Sequence, residues 1–420
     1  MSKILVACAA ADGHVNPFVP VVDHLVKREH EVVWLCGRAY QNKIEAVGAK
    51  FIGLPEDFDP KGMDIYEFKP ELKKLKGIAQ IKFYIKTWCY DMAIPTIGII
   101  DALRKDFEPD LYISDPMVYG PYFFTEKYNT PSINLHVIPL TLSSRDHGPF
   151  GTGIGPADSF LERLRILFLN FLAEKIVFRD LKSYCNKLRN GMGLKPYDHI
   201  FNSFLQSAST VFATTIPGLD YQRSDMPKNI KYLGPILPDR KTDFTEPEWW
   251  AELQDERKVI LVNQGTIAND ITELILPTIE AFKRENVLLI ALPVKTEIKD
   301  LPSHVKTAEF IPFGNLLPYV DVMVTNGGFG ATHMALAHGI PLVSSGGSED
   351  KMEVSARVAH SGCGINLNKL RPKPKEIKSA VKTVLENTRF KKSAQGLKQE
   401  IETYAPLHLI AEEIRILTKS

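Results

Sequence analysis

The tightest constraint on the fold is a repeated local pattern: a short apolar run that ends in a turn and gives way to a helix. Ile4-Leu5-Val6-Ala7-Cys8-Ala9 is the first such run, and Gly13 follows it closely. A run of this length without polar alternation reads as a strand buried on both faces of a parallel sheet. Pro17 suits the first position of a helix over 17–29, with Asn16 as its cap. Glu31 to Cys36 supplies the next strand. Strand, loop, helix, strand is the unit from which open parallel sheets are built. Apolar runs at 111–114, 132–138 and 210–214 continue the series, with helical stretches between them, the longest at 157–189. A second series opens at Lys258-Val259-Ile260-Leu261-Val262 and runs through Val287–Ala291, Asp321–Thr325 and Ile340–Ser344. A helix over 350–361 and two more near the C-terminus complete it.

Between the series lies Pro235-Ile236-Leu237-Pro238-Asp239-Arg240, then a polar stretch to Trp249-Trp250. Proline and mixed charge mark a linker. The expected division is a first domain over 1–235, a linker over 236–255, a second domain over 256–395, and C-terminal helices over 396–420. A length of 420 residues suits two domains of about 200 each. Lysine plus arginine number 51 against 50 aspartates and glutamates, so the net charge of +1 offers no electrostatic case for a nucleic acid or an anionic membrane as partner. The five cysteines are widely spaced and form no CxxC pair, which suggests neither a disulfide framework nor a zinc cluster and points to a reducing, cytoplasmic setting. Ile4 to Ala11 is short for a signal-peptide core, and no apolar run reaches the ~18 residues of a membrane span.

The chemistry-bearing residues cluster where strands end. After Val322-Met323-Val324-Thr325 comes Asn326-Gly327-Gly328-Phe329-Gly330, then a helix. Glycines here allow close approach of backbone to ligand, and a helix N-terminus suits an anion such as a diphosphate. A tight strand-to-helix turn would use the same residues. Gly265-Thr266 ends the first strand of this half. Gly346-Gly347-Ser348-Glu349-Asp350-Lys351 follows another, with adjacent carboxylates able to accept hydrogen bonds from sugar hydroxyls.

The order Phe310-Ile311-Pro312, Leu316-Leu317-Pro318, Thr325-Asn326-Gly327-Gly328, Gly339-Ile340-Pro341, Asp350-Lys351 resembles the donor signature of the family 1 nucleotide-sugar glycosyltransferases of plant natural-product and bacterial macrolide type. The resemblance implies an α/β protein of two facing Rossmann-like domains (the GT-B fold) with a deep cleft between them. It implies that Phe310 stacks on the nucleobase, that Asn326 contacts the diphosphate, and that Gly327, Gly328 and Gly330 admit the phosphates to the helix amides. Gly265 and Thr266 would touch phosphate or sugar, and Glu349, Asp350 and Lys351 would hold ribose or sugar hydroxyls. The chain departs from the family at four places. Asn326 stands for a histidine, Lys351 for a glutamine, Met334 for a ribose-binding glutamate that Glu349 or His333 would replace, and Phe313 for a glutamine.

His14, in Gly13-His14-Val15-Asn16-Pro17, sits at the carboxyl end of the first strand, where it can take a proton from an acceptor hydroxyl or simply cap and pack. Asp115, in Leu111-Tyr112-Ile113-Ser114-Asp115, ends another strand at the same edge and can fix the imidazole tautomer. The resemblance implies this dyad and, with it, inverting transfer from a UDP- or dTDP-sugar to a hydrophobic acceptor. No metal or further cofactor would take part, and the protein would be a monomer or weak dimer. Asp57-Phe58-Asp59 spells a metal-binding DxD but reads as a solvated loop. Rival readings are a nicotinamide-dependent oxidoreductase, for which Gly328-Phe329-Gly330 lacks a third glycine, a same-fold epimerase, and a catalytically silent nucleotide-sugar-binding partner.

For the acceptor, Phe83 and Trp88, with His136 at another strand end, are the candidate lining. Phe160, Leu164, Leu167, Phe168 and Phe171 form a second apolar stripe, read as core or as pocket wall. A lipid acceptor would call for shallow contact with a membrane, which Arg163, Arg165 and Lys175 would permit.

Overall fold

The computed structural model describes residues 1–238, 243–265, 270–293, 296, 298–308, 310–347 and 350–418. The first domain is a parallel sheet of β1 (Lys3–Ala7), β2 (Glu31–Cys36), β3 (Lys50–Gly53), β4 (Leu111–Ser114), β5 (Ser132–His136), β6 (Thr210–Ala213) and β7 (Ile230–Tyr232), in the order β3-β2-β1-β4-β5-β6-β7. The second is a parallel sheet of β8 (Lys258–Asn263), β9 (Val287–Leu292), β10 (Val305–Thr307), β11 (Val322–Thr325), β12 (Leu342–Ser344) and β13 (Gly364–Asn366), in the order β10-β9-β8-β11-β12-β13.

Strand alternation sends successive side chains into different cores. Ile4 and Val6 pack with Phe18, Trp34 and Leu111 on one face, and Leu5 packs with Val33 and Tyr112 on the other. In β8, Val259 and Leu261 face one core and Ile260 and Val262 the other. Helices therefore cover both faces of both sheets, as parallel sheets require. The final helix, Pro406–Thr418, leaves the second domain and packs Ile410 and Ile414 into the first domain's core. Its Glu413 accepts hydrogen bonds from Thr210 and from Lys231 Nζ at 2.6 Å.

In each sheet the chain first winds to one side of its opening strand, then crosses to the other. β1 lies between β2 and β4, and β8 between β9 and β11. Such a reversal opens a crevice at the carboxyl ends of the two diverging strands, which is where open α/β sheets bind ligands.

Two expectations change. The first helix runs Asp12–Lys27 from Ala11 rather than starting at Pro17, because the extended Ala11 offers its carbonyl to the amides of His14 and Val15, both at 2.9 Å. Asn16 instead accepts from Lys43 Nζ at 2.7 Å. The 157–189 stretch divides into helices Phe160–Leu172 and Arg179–Gly191, joined by a wide turn at Ala173–Val177.

Candidate active site

The β1–β4 crevice holds His14 and Asp115. The early helix start puts His14 on the first helical turn, above the end of β1. Asp115 is the residue after β4 and is fully buried. Its Oδ2 lies 2.8 Å from His14 Nδ1 and accepts from Ala9 N at 2.8 Å, while Oδ1 accepts from Met117 N at 2.7 Å. A carboxylate surrounded by donors stays an acceptor, so Nδ1 carries the hydrogen and Nε2 keeps its lone pair. Burial alone would depress the basicity of His14. The charge and hydrogen bond of Asp115 outweigh it and hold the imidazole above its ordinary value, and Asp350 of the second domain adds to the effect. Behind the pair, Tyr122 Oη donates to the Asp115 carbonyl at 2.7 Å, and Asn134 Nδ2 donates to Tyr122 at 2.5 Å. The carboxylate is thus fixed by its own backbone as well as by its side chain.

The β8–β11 crevice is built from backbone. Gly265, with φ +80°, turns the chain after β8, and Gly327, with φ +88°, turns it after β11. A Cβ on Gly327 would lie 2.5 Å from Ser355 Oγ, so only glycine fits there. Asn326 Nδ2 donates to the carbonyl of Gln264 and ties the two turns together, while Asn326 Oδ1 has no hydrogen-bond partner among the described residues. Gly328 caps the helix Phe329–Ala337, whose first amides carry the dipole's positive end. Around a Cβ built on Gly330 there is open space. A small hollow beside these turns is lined by Gln264, Glu273, Asn326, Ser345, Gly347 and Lys351.

A family model described as the C-terminal domain of erythromycin biosynthesis protein CIII-like proteins matches residues 273–414. The chain is 36% identical over 418 residues to 4'-demethylrebeccamycin synthase of Lentzea aerocolonigenes, covering 99% of each. The chain belongs to the family 1 nucleotide-sugar glycosyltransferases. It is also 30% identical to UDP-glycosyltransferase 2 of Phaeomoniella chlamydospora, covering 98% of this chain and 94% of that one. The crystal structure of the glycosyltransferase of kitacinnamycin shares the GT-B fold, with a TM-score of 0.75 at 17% identity over 99% of each chain.

In this glycosyltransferase Gly265, Asn326, Gly327, Gly328 and Gly330 lie on the turns of the β8–β11 crevice, and Lys351 lines the hollow beside them. Phe310 stands out at 67% exposure. Asp350 precedes the helix Lys351–His360, and its side chain does not cap it. Thr266 and Glu349 lie outside the described residues. Asn326, expected to contact the diphosphate, gives one of its two amide hydrogens to the Gln264 carbonyl. His333, offered as a ribose contact, is buried with Nδ1 on the Phe329 carbonyl at 2.9 Å and Nε2 on Thr215 Oγ1 at 2.8 Å. Burial pushes its basicity down to about 4, so it is a neutral link between the domains. Asp59 of the DxD sequence is buried rather than solvated and accepts from Arg38 Nη1 at 2.8 Å. Among the acceptor candidates, Phe83 is half-buried against Trp88, which packs with Ala7, Leu35 and Met92 beneath the end of β1. His136 is fully buried at the end of β5, held by Asn134 at 3.1 Å, and burial pushes its basicity down to about 3.

Sequence reasoning missed the clasp between the domains. Glu353 Oε1 accepts from Gly151 N at 2.8 Å and Gly153 N at 2.9 Å. Arg357 joins Glu353 Oε2 at 2.8 Å to Asp220 Oδ1 at 2.9 Å, and Arg223 closes on Asp220 Oδ2 at 2.6 Å. The signal was a charged pair at i, i+4 on an otherwise apolar helix face, a placement that calls for buried partners.

Proposed function

We propose that this glycosyltransferase moves a sugar from a UDP- or dTDP-sugar to a hydroxyl of a hydrophobic small molecule, such as a phenol, flavonoid, polyketide or terpenoid. Transfer inverts the anomeric carbon and needs neither a metal ion nor a further cofactor. The observation that carries this reading is the imidazole of His14, oriented by Asp115 in one domain and influenced by Asp350 in the other. A base between a donor crevice and an apolar wall suits a direct displacement.

In that step the acceptor oxygen attacks the anomeric carbon and its proton passes to His14 Nε2. The bond from the anomeric carbon to the diphosphate oxygen breaks, and its electron pair leaves with the nucleoside diphosphate. Asp115 stabilises the imidazolium. The first amides of the helix Phe329–Ala337 meet the growing diphosphate charge, which is the work a metal would otherwise do. Asn326 Oδ1 and Asp350 accept from donor-sugar hydroxyls, and Phe310 stacks on the base. Phe83 and Trp88 form the apolar wall for the acceptor, and His136 supports the strand end behind it. The uridine named in the Phaeomoniella relative supports a pyrimidine donor.

A screen of UDP- and dTDP-sugars against phenolic and polyketide acceptors, read by mass spectrometry, tests this. A sugar mass increment should appear, survive EDTA, show the inverted anomer by NMR, and fall by at least about 100-fold in His14→Ala. A retained anomer, loss of activity in EDTA, or unchanged turnover without His14 would overturn the mechanism.

A further inference from the structure

We propose that the helix Phe160–Leu172 is a docking face for an anionic phospholipid bilayer, on which the protein sits without spanning it. Phe160, Leu161, Leu164, Leu167, Phe168 and Phe171 are each 44–76% exposed on this helix, and Ile166 is its one buried apolar residue. At about 100° per residue these six side chains fall within an arc of roughly 120°. Six such side chains, with Ile176 just beyond, make a patch at or above the ~300–600 Å² that soluble monomers leave open.

The charges around the arc select the occupant. Arg163 and Arg165 lie on its two opposite edges, both exposed, and Lys175 follows on the next turn. The acidic residues face elsewhere. Glu162 turns back to accept from Asp158 N at 2.9 Å, and Glu174 is buried and takes Lys182 Nζ at 2.7 Å. An apolar arc edged by cations fits acyl chains flanked by lipid phosphates, with the arginine stems lying along the boundary. At one edge, Arg145, Arg163, Leu167 and Ser224 line a hollow in which two guanidiniums stand beside an apolar side chain. Asp146 shares Arg163 at 3.5 Å, but its Oδ2 is already engaged by Ser224 Oγ at 2.8 Å. A second copy of the chain fits less well, since it would set the same cations, Arg163, Arg165 and Lys175, against themselves. The overall net charge of +1 conceals this segregation.

The helix is rigidly mounted. Asn170 Nδ2 donates to the carbonyls of Ser144 at 2.8 Å and His147 at 3.0 Å. The chain from there carries Gly151 and Gly153 across to Glu353. A bilayer on this face would therefore lie on the same side as the Gly151–Gly153 contact with Glu353.

Flotation with phosphatidylcholine vesicles, with and without one-third phosphatidylglycerol, tests the proposal independently of any sugar transfer. The protein should float with the anionic vesicles, lose that binding at raised ionic strength, and bind about tenfold less in Phe168→Ser/Phe171→Ser and in Arg165→Glu. These side chains are exposed, so both variants should melt as the wild type does, which circular dichroism checks. Absence of flotation, equal flotation with pure phosphatidylcholine, or a sedimenting dimer that Phe168→Ser/Phe171→Ser converts to monomer would each overturn it.

Discussion

Asp115→Asn is the sharpest test of the site, because it removes a charge while keeping the shape. Asp115 accepts from three donors, Ala9 N and His14 Nδ1 at 2.8 Å and Met117 N at 2.7 Å. Asparagine brings one carbonyl and a pair of donors, so no orientation satisfies all three. If the carbonyl keeps Ala9 and His14, the new amide confronts Met117 N–H, at a cost of about 1–3 kcal/mol for the unpaired buried donor. If the amide turns to His14, Nδ1 must accept, the hydrogen moves to Nε2, and the base is lost, at about 10²–10⁴ in turnover. Either way the imidazolium loses its counter-charge. In the wild type Asp115 holds the basicity of His14 up against burial, so in the variant it falls, and the acid limb of kcat/KM moves to lower pH while the plateau drops. The stability effect has the matching sign. A histidine whose folded value is raised adds stability that is fully present below its unfolded value near ~6.5 and is lost as pH rises through the folded value. The melting gap between wild type and variant should therefore narrow as pH rises across that window. The assays are kcat/KM against pH on an acceptor found by the screen, and thermal melts at matched pH. Turnover within about threefold of wild type with an unmoved acid limb would refute the assignment of His14 as base.

Two further changes probe the second domain. Gly327→Ala forces a side chain into a φ of +88° and against Ser355 Oγ at 2.5 Å; we expect a loss of about 1–3 kcal/mol in denaturant unfolding and weaker nucleotide binding by calorimetry, and a neutral result would mean the turn relaxes freely. Arg357→Ala leaves Glu353 without its buried cation and Asp220 with Arg223 alone, where the flanking guanidiniums hold the Asp220 carboxyl well below its usual range despite burial. Breaking a buried network of this kind costs about 3–5 kcal/mol, and a melting curve that does not shift would show the clasp to be unimportant.

What the sequence disclosed follows from where information is local. The interior strands were legible because Ile4–Ala7 or Val259–Val262 are continuous apolar runs. The four strands it did not disclose, β3, β7, β10 and β13, are the four sheet edges, three or four residues long and mixed in character, as in Lys50-Phe51-Ile52-Gly53. Asp115 and the Asn326–Gly330 turn were legible because each directly follows an interior strand, and His14 because it opens the helix after one; topology brings such positions to the crevice of each sheet. The pairing of His333 with Thr215 has no local trace, and the i, i+4 spacing of Glu353 and Arg357 signals buried partners without naming Asp220.

The helix Phe160–Leu172 shows a deeper limit. Its stripe has the same period whether it faces a core, a pocket or solvent, so periodicity identifies the helix but not the side that the protein covers. Here the protein covers Ile166 and the back of the helix and leaves the Phe160–Leu164–Phe171 side open. Flanking charge separates the cases. A core-facing stripe has its cations on the opposite, solvated side, whereas here Arg163 and Arg165 border the apolar arc itself. That arrangement costs nothing at a lipid headgroup boundary and gains nothing in a protein core, so charge position relative to the stripe carries information that neither hydrophobic period nor net charge contains.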